Sequence, residues 1–311
     1  MKRYTALVAF FLLAALPLVA GNYYVNLASQ ILIAAILALS LNLLVGYAGL
    51  TSLGHAAYLG VSAYISAWFF LKLGVGHLAS AAAAIAGTTL MASVFGLVAL
   101  RATGLGFLMI TLALGQVLWG LAFRWVSVTN GDNGLSGLTR PMPFGIDLNG
   151  PTAFFYFTLV VAAIAAICIA LVANSAFGAV LRGTRDQPRR MSTLGHNVWL
   201  VRYLSFVLAG FWGAVSGLLY VYYHKFIHPY ALSLTSSAEV LLMVIAGGSG
   251  TIAGPIVGAG IVVLLKNFVS AYVQRWTMLL GFVFLLIVVF MPDGLVPGMR
   301  RLWIRVKTRI A

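Results

Sequence analysis

This sequence predicts an all-α fold, a polytopic transmembrane helical bundle of about ten spans, and three observations carry the prediction. Hydrophobic residues make up 62% of the 311 positions and charged residues 8%, with a mean hydropathy of +1.03, which leaves too little polar surface for a soluble globule. Apolar runs such as Leu78 to Leu100 continue for roughly 20 residues without the dyad alternation of a barrel strand, so the spans are helices. The 19 Lys and Arg, set against 5 acids, cluster in short connections and in the tail, as membrane topology requires, and not as a nucleic-acid surface would hold them.

In chain order the spans are expected at 5–21, 27–45, 54–73, 78–100, 105–125, 152–172, 202–223, 237–254, 255–273 and 276–292, within one transmembrane domain covering 1–311. The first run follows Met1, Lys2 and Arg3 and ends Val19-Ala20-Gly21, which imitates a secretory signal. Pro17 and Leu18 make a poor cleavage region and more membrane segments follow, so the run is read as a retained span. Placing the N-terminus inside puts Lys2, Arg3, Arg101, Arg182, Arg185, Arg189, Arg190, Arg202, Arg300, Arg301, Arg305, Lys307 and Arg309 on the cytoplasmic side, against Lys72, Arg124, Arg140, Lys225, Lys266 and Arg275 outside or near the outer span ends, a bias of thirteen to six. The positive-inside rule therefore predicts both termini in the cytoplasm and the 126–150 loop outside. Trp119, Trp125, Trp199, Trp276 and Trp303 near span ends read as interfacial belts.

Between the second and third spans, S-L-N-L-L-V-G-Y-A-G-L-T-S-L-G-H from Ser40 to His55 places three glycines, two serines, an asparagine and a threonine between long apolar runs. Glycine exposes backbone polar groups, and a bilayer tolerates these only where protein or a water-filled path satisfies them, so this segment is predicted to line a pathway. Its residues Asn42, Gly46, Gly49, Ser52, Gly54 and His55, with Thr111 and Gln116 on the fifth span, form the candidate path; interhelical hydrogen bonding is the competing role for each polar side chain. The 126–150 loop carries an Asn130-Gly131-Asp132-Asn133-Gly134 turn, either a contact for an external protein or a self-contained Asx turn. Cys168 lies in an apolar run and reads as an inert core thiol.

The 173–201 connection is the longest expected in the cytoplasm, with Arg182, Arg185, Arg189 and Arg190 against Asp186. An amphipathic segment here would offer Val180, Leu181 and Leu194 to a protein partner; the alternative is a positively charged anchor that binds nothing. His224 and His228 stand i to i+4, a spacing that can hold a metal on a helix, but no third ligand is near and Pro229 follows, so no metal is expected. From Ala246 to Pro255 four glycines and a proline interrupt the apolar stretch. Gly247 and Gly248 join the candidate path if this is a broken or re-entrant helix, whereas a Gly-rich turn is the other reading. G-G-S-G lacks the Lys-Ser or Lys-Thr of a phosphate loop, so no ATPase site of its own is expected.

Six blocks in order resemble the permease subunits of bacterial branched-chain amino-acid ABC importers, LivM type. They are L-N-L-L-V-G-Y-A-G-L-T-S-L-G-H-A-A-Y at Leu41, I-T-L-A-L-G-Q at Ile110, T-N-G-D-N-G-L at Thr129, L-R-G-T-R-D at Leu181 with Leu194-Gly195 beyond it, the E-V-L-L-M-V-I-A-G-G-S-G-T-I-A-G-P-I-V-G-A block at Glu239, and M-P-D-G-L at Met291. The resemblance implies a bacterial inner-membrane permease forming half of a translocation path, with a LivH-type permease as the other half. Its further partners would be two cytoplasmic LivG/LivF-type ATPases that bind the ATP and a periplasmic or lipid-anchored solute-binding protein. It also implies that Arg182, Arg185, Asp186, Leu194 and Gly195 belong to a coupling loop docked on an ATPase, while 293–311 is a basic cytoplasmic tail. The chain departs from the family pattern at Pro188, Arg190 and Met191, and at Gln116, where an acid is usual. Branched-chain amino acids are the implied solutes, with urea, short amides and small carboxylates as alternatives. A self-sufficient secondary carrier ordinarily needs ionisable groups at mid-membrane, and here Glu239 is the only acid close to a span.

Overall fold

The computed structural model describes residues 13–142, 147–269, 276–291, 294–299 and 301. The start of the expected span 5–21 and most of the 293–311 tail lie outside the described residues. Helix α1, Asn22–Asn42, runs on as a π-helical stretch, Leu43–Ala48. Then come α2 (Ala56–Leu73), α3 (His77–Ala99), α4 (Leu105–Arg124) and α5 (Pro151–Asn174). The expected cytoplasmic loop is instead two short helices, α6 (Ala176–Asp186) and α7 (Pro188–Thr193), and α8 (Val198–His224) follows. The C-terminal part holds α9 (Leu234–Gly247), α10 (Ala253–Val269) and α11 (Trp276–Phe290).

Among the described residues six helices are long and apolar enough to cross a membrane: α1 with its extension, α2, α3, α4, α5 and α8. At 14 and 17 residues α9 and α10 are shorter, and α11 has 15. The break expected near 246–255 is the turn of a hairpin. A Cβ on Gly247 would overlap the Gly254 carbonyl oxygen and one on Gly258 that of Met243, so the partners run in opposite directions and the two backbones touch. Small residues at such contacts let helices approach closely where hydrophobic exclusion from water is absent. Pro255 falls in the first turn of α10, where its missing N–H costs no helical bond.

Helix α1 is the most buried of the six and packs on α5, α8, α9 and α10, while α8 in turn packs on α2 and α3. Buried hydroxyls join these helices across the core: Ser62 Oγ donates to Ala214 O at 2.7 Å and Ser216 Oγ to Ile33 O at 2.9 Å. Helices α3 and α4 are the least buried, leaving Leu90, Val94, Met109 and Val117 exposed, as a lipid- or partner-facing surface requires.

Two ends are distinguished by their connections. At one, strand β1 (Leu135–Ser136) pairs antiparallel with β2 (Phe226–Ile227), Leu135 opposite Ile227, directly after α8. Arg140 fastens the same end. Its guanidinium, in a residue only 9% exposed, donates to the carbonyls of Tyr222, Leu148, Asn149 and Tyr223 and lies 4.3 Å from the Phe154 ring centroid. Burial pushes its pKa below the ordinary arginine value, with Tyr223 acting in the opposite direction. At the other end, α6 lies against the bundle, with Arg202 Nη2 donating to Thr184 O at 3.0 Å and Arg182 Nη1 to Ala173 O at 2.6 Å.

Candidate translocation path and coupling site

The π-helical end of α1 and the tip of the α9–α10 hairpin meet in one junction. Asn42 Nδ2 donates to Thr251 O at 2.8 Å and its Oδ1 accepts from Gly250 N at 2.9 Å, so one amide satisfies both sides of the tip. Gly46 faces Gly250 so closely that a Cβ there would overlap the Gly250 nitrogen. Gly49 ends the π stretch at φ +71° and Gly248 ends α9 at φ +113°, two places where an L side chain would be strained. Gly247, one residue earlier, abuts Gly254. Arg185 closes the junction from α6: its Nη1 donates to Gly46 O at 2.6 Å, its carbon chain lies over Gly49, and its Nε donates to Asp186 Oδ1 at 2.8 Å.

Beyond Gly49 the chain turns back into the bundle. Ser40 Oγ donates to Leu37 O and stands 2.7 Å from His55 Nε2. Because the hydroxyl hydrogen is already used, His55 donates from Nε2, and its buried Nδ1 has no hydrogen-bond partner. Leu53 N reaches Thr111 Oγ1 at 3.4 Å, Gly54 presses on the Thr111 carbonyl, and Ser52 Oγ accepts from Gly54 N. Gln116 is half-buried farther along α4. Asn42, Gly46, Gly49, Gly247 and Gly248 are thus brought together, as are Ser52, Gly54, His55 and Thr111. Gln116 is apart from both groups.

Between α1, α2, α8, α9 and α10, toward the β-ribbon end, a cavity of about 140 Å³ opens, comparable to cavities that admit a benzene-sized guest. Ile33, Leu37, Leu59, Val240, Met243 and Val262 supply apolar wall. Glu239 and Lys266 line it as an ion pair, Nζ lying 3.0 Å from Oε2 and 3.3 Å from Oε1. None of these lining residues was in the candidate path read from sequence, where Glu239 was marked only as the acid close to a span. The available signal was the helical spacing of Gln30, Ile33, Ala34 and Leu37 and of Ser236, Glu239, Val240 and Met243, each set i, i+3, i+4, i+7 along one face.

The polar loops are largely self-satisfied. Asn130, at φ +61°, donates from Nδ2 to Gly134 O at 3.0 Å, while Gly131–Asn133 forms a 3₁₀ turn whose Asp132 meets His228 Nε2 at 3.3 Å. His224 and His228 do not share a helix, since α8 ends at His224 and β2 intervenes, which removes the i, i+4 metal geometry considered above. In α6, Ser175 caps the N-terminus and Leu181 and Thr184 are buried against the bundle. Leu181 therefore serves internal packing and is not presented to a partner as its sequence context predicted. Leu194, after α7, is 72% exposed, and Gly195 takes φ +85° beside it.

A family model for branched-chain amino acid transport system permease components matches residues 23–290, nearly the whole described fold. The chain belongs to this permease family. It is 25% identical over 96% of its length, and 76% of theirs, to the high-affinity branched-chain amino acid transport system permease protein LivM of Escherichia coli (strain K12) and to that of Salmonella typhimurium (strain LT2). A probable branched-chain amino acid transport permease protein LivM of Methanocaldococcus jannaschii is 26% identical over 46% of each chain. No solved structure matches the chain.

In this ABC importer permease subunit, embedded in a membrane, α1 and α9 line the cavity through Leu37 and Met243 and, farther along, join the polar junction at the α6 end through Asn42 and Gly248. Arg185 connects that junction to the surface helices.

Proposed function

We propose that this chain forms half of the translocation path of an ATP-driven importer for branched-chain or related small amino acids, in a bacterial inner membrane with both termini in the cytoplasm. The β-ribbon end then faces a solute-binding protein, and α6, α7 and the exposed Leu194 face the ATPase subunits, which alone bind ATP. A second, LivH-type permease completes the path. The observation that carries this reading is the alignment of cavity, closed junction and Arg185 within a fold whose family match spans 23–290. Alternating access follows if movement of α6 draws Arg185 away from the Gly46 carbonyl, because the Asn42 bonds to the hairpin tip are then the main closure left.

Reconstitution tests it. Proteoliposomes holding this chain with a LivH-type permease and both ATPases are expected to accumulate labelled leucine only with ATP and a binding protein. Accumulation by this chain alone, driven by an ion gradient, would show a secondary carrier. ATP-driven uptake of urea or short amides in preference to leucine would move the solute assignment but keep the class.

A further inference from the structure

We propose that the last stretch of α10, Leu264 to Val269, is a gate on the cavity mouth that swings about the α9–α10 hairpin tip, with Lys266 and Asn267 as the latch that holds it shut. The inference rests on the transport reading above and adds to it the element and the positioning residues that close the path at the β-ribbon end. The two ends of α10 are held by unlike means. Near the tip backbone meets backbone, since a Cβ on Gly247, Gly254 or Gly258 would overlap the carbonyl oxygen of Gly254, Gly248 or Met243. The buried residues of α10 run from Gly254 to Val263, and every residue from Leu264 on is half-buried or exposed. Of that stretch only Leu265 packs against the apolar core. Its remaining hold is polar: Lys266 Nζ reaches Glu239 Oε2 on α9 at 3.0 Å, and Asn267 Nδ2 donates to Gln30 Oε1 on α1 at 3.1 Å. Successive residues on a helix point about 100° apart, so these two bind different neighbours and α10 closes the seam between α1 and α9. Gln30, Glu239 and Lys266 all line the cavity there.

Such a latch is exchanged for water at low cost. The Lys266 side chain is 37% exposed, so its ammonium is already wetted at the rim, and a pair of this kind is far weaker than a fully desolvated one. Asn267 is half-buried and also donates to Val263 O of its own helix, a bond it keeps when Gln30 moves away. The glycine contacts at the tip are backbone packing and gain nothing from water, so parting begins at the outer end and the tip is the pivot. Asn42 meanwhile keeps its bonds to Gly250 and Thr251. The mouth therefore opens while the junction at the α6 end stays closed, the order that alternating access requires of an importer.

The experiment uses the complete complex and asks whether the Gln30–Asn267 contact must part. In a Cys168→Ser background, Gln30→Cys with Asn267→Cys is joined by a short bis-thiol cross-linker that a reductant cleaves, and ATP-driven leucine uptake is followed in proteoliposomes. Cross-linking is expected to cut uptake at least about tenfold and cleavage to restore it, with the ATPases retained throughout. A static strut would tolerate the cross-link, since the contact it makes permanent is one the folded protein already has. A second measurement places Ala34→Cys in the cavity wall, in the same background, and follows its reaction in spheroplasts with an impermeant thiol reagent added outside. Lys266→Met together with Asn267→Leu should speed that reaction at least about tenfold. Full uptake by the cross-linked complex, or an unchanged labelling rate in the folded latch variant, would overturn the gate, and the cross-link decides the matter even if the latch variant fails to fold. Uptake by the unmodified wild-type complex is measured in parallel. Wild-type uptake with an ineffective cross-link sinks the gate and spares the transport reading, whereas absence of ATP-driven uptake in the wild type sinks both.

Discussion

Asn42 and Arg140 each satisfy, from a single position, more than one backbone group elsewhere in the chain: Asn42 as donor and acceptor, Arg140 as donor. Asn42 bonds both Gly250 N and Thr251 O, so Asn42→Leu strands a donor and an acceptor, at a cost of about 1–3 kcal/mol each. A clear fall in the detergent thermal midpoint is expected, with a smaller fall for Asn42→Asp, which keeps the acceptor; equal midpoints for all three proteins would deny the bonds their role. Arg140 serves four carbonyls from a planar fork, and a lysine ammonium cannot match that geometry. Arg140→Lys should therefore expose the 126–150 loop to proteolysis nearly as much as Arg140→Met, and protection equal to wild type in the lysine variant would contradict this. The sequence marked Asn42 as a polar residue at a span end and left two roles open. It gave no sign that Arg140 is buried, because its acceptors come from positions 148–149 and 222–223, which only the fold brings near.

At the scale of elements the α9–α10 hairpin is held by contact of backbone on backbone. Gly258 has no room for a Cβ beside the Met243 carbonyl, whereas the nearest atom to a Cβ on Gly260 is Ile31 Cγ2 at 3.9 Å. Gly258→Ala should cost about 1–3 kcal/mol through overpacking, with Gly260→Ala close to neutral. Unfolding midpoints in mixed micelles measure the difference, and similar losses at both sites would mean the backbones do not touch there. Gly49→Leu and Gly248→Leu, both at positive φ, are expected to depress transport more than the amount of inserted protein. Helix identity was legible for the six long spans, because long apolar runs and short basic connections are local signals, and not for α6 and α7, which lie in an expected loop. The hairpin was only half legible: the glycines at 247–254 announced a break, and the Gly254–Gly258 spacing was the small-residue signature of close packing. What the break joined depended on antiparallel pairing of residues whose separations vary. The 173–201 segment carried an amphipathic cue, yet its buried Leu181 faces the bundle because α6 folds back on α5, α8 and the π-helical stretch, a contact no periodicity encodes.

For the whole molecule the central matter is how one end acts on the other. Orientation comes first: cysteine at Asp132 should react with an impermeant thiol reagent from outside and cysteine at Gln187 only from inside, with Cys168 half-buried in α5 as background. The reverse pattern would turn the proposed importer around. Coupling is proposed to run through Arg185. Its pair with Asp186 is exposed at the surface and contributes about 0–1 kcal/mol, so the bond to the Gly46 carbonyl is the contact that ties α6 to the junction. A charged donor on such an acceptor is worth about 1.5–3 kcal/mol, and Arg185→Glu replaces it with a carboxylate facing a carbonyl. Leu194 is exposed at the same end and has no comparable hold on the bundle. The two variants should therefore fail differently. Arg185→Glu is expected to keep its ATPases on co-purification and to hydrolyse ATP while leucine uptake falls at least about tenfold, since a loss of this size exceeds 1.4 kcal/mol. Leu194→Asp is expected to lose the ATPases themselves. Normal uptake by Arg185→Glu would break the proposed link between α6 and the junction, and full retention of ATPases by Leu194→Asp would place the docking surface elsewhere on this end.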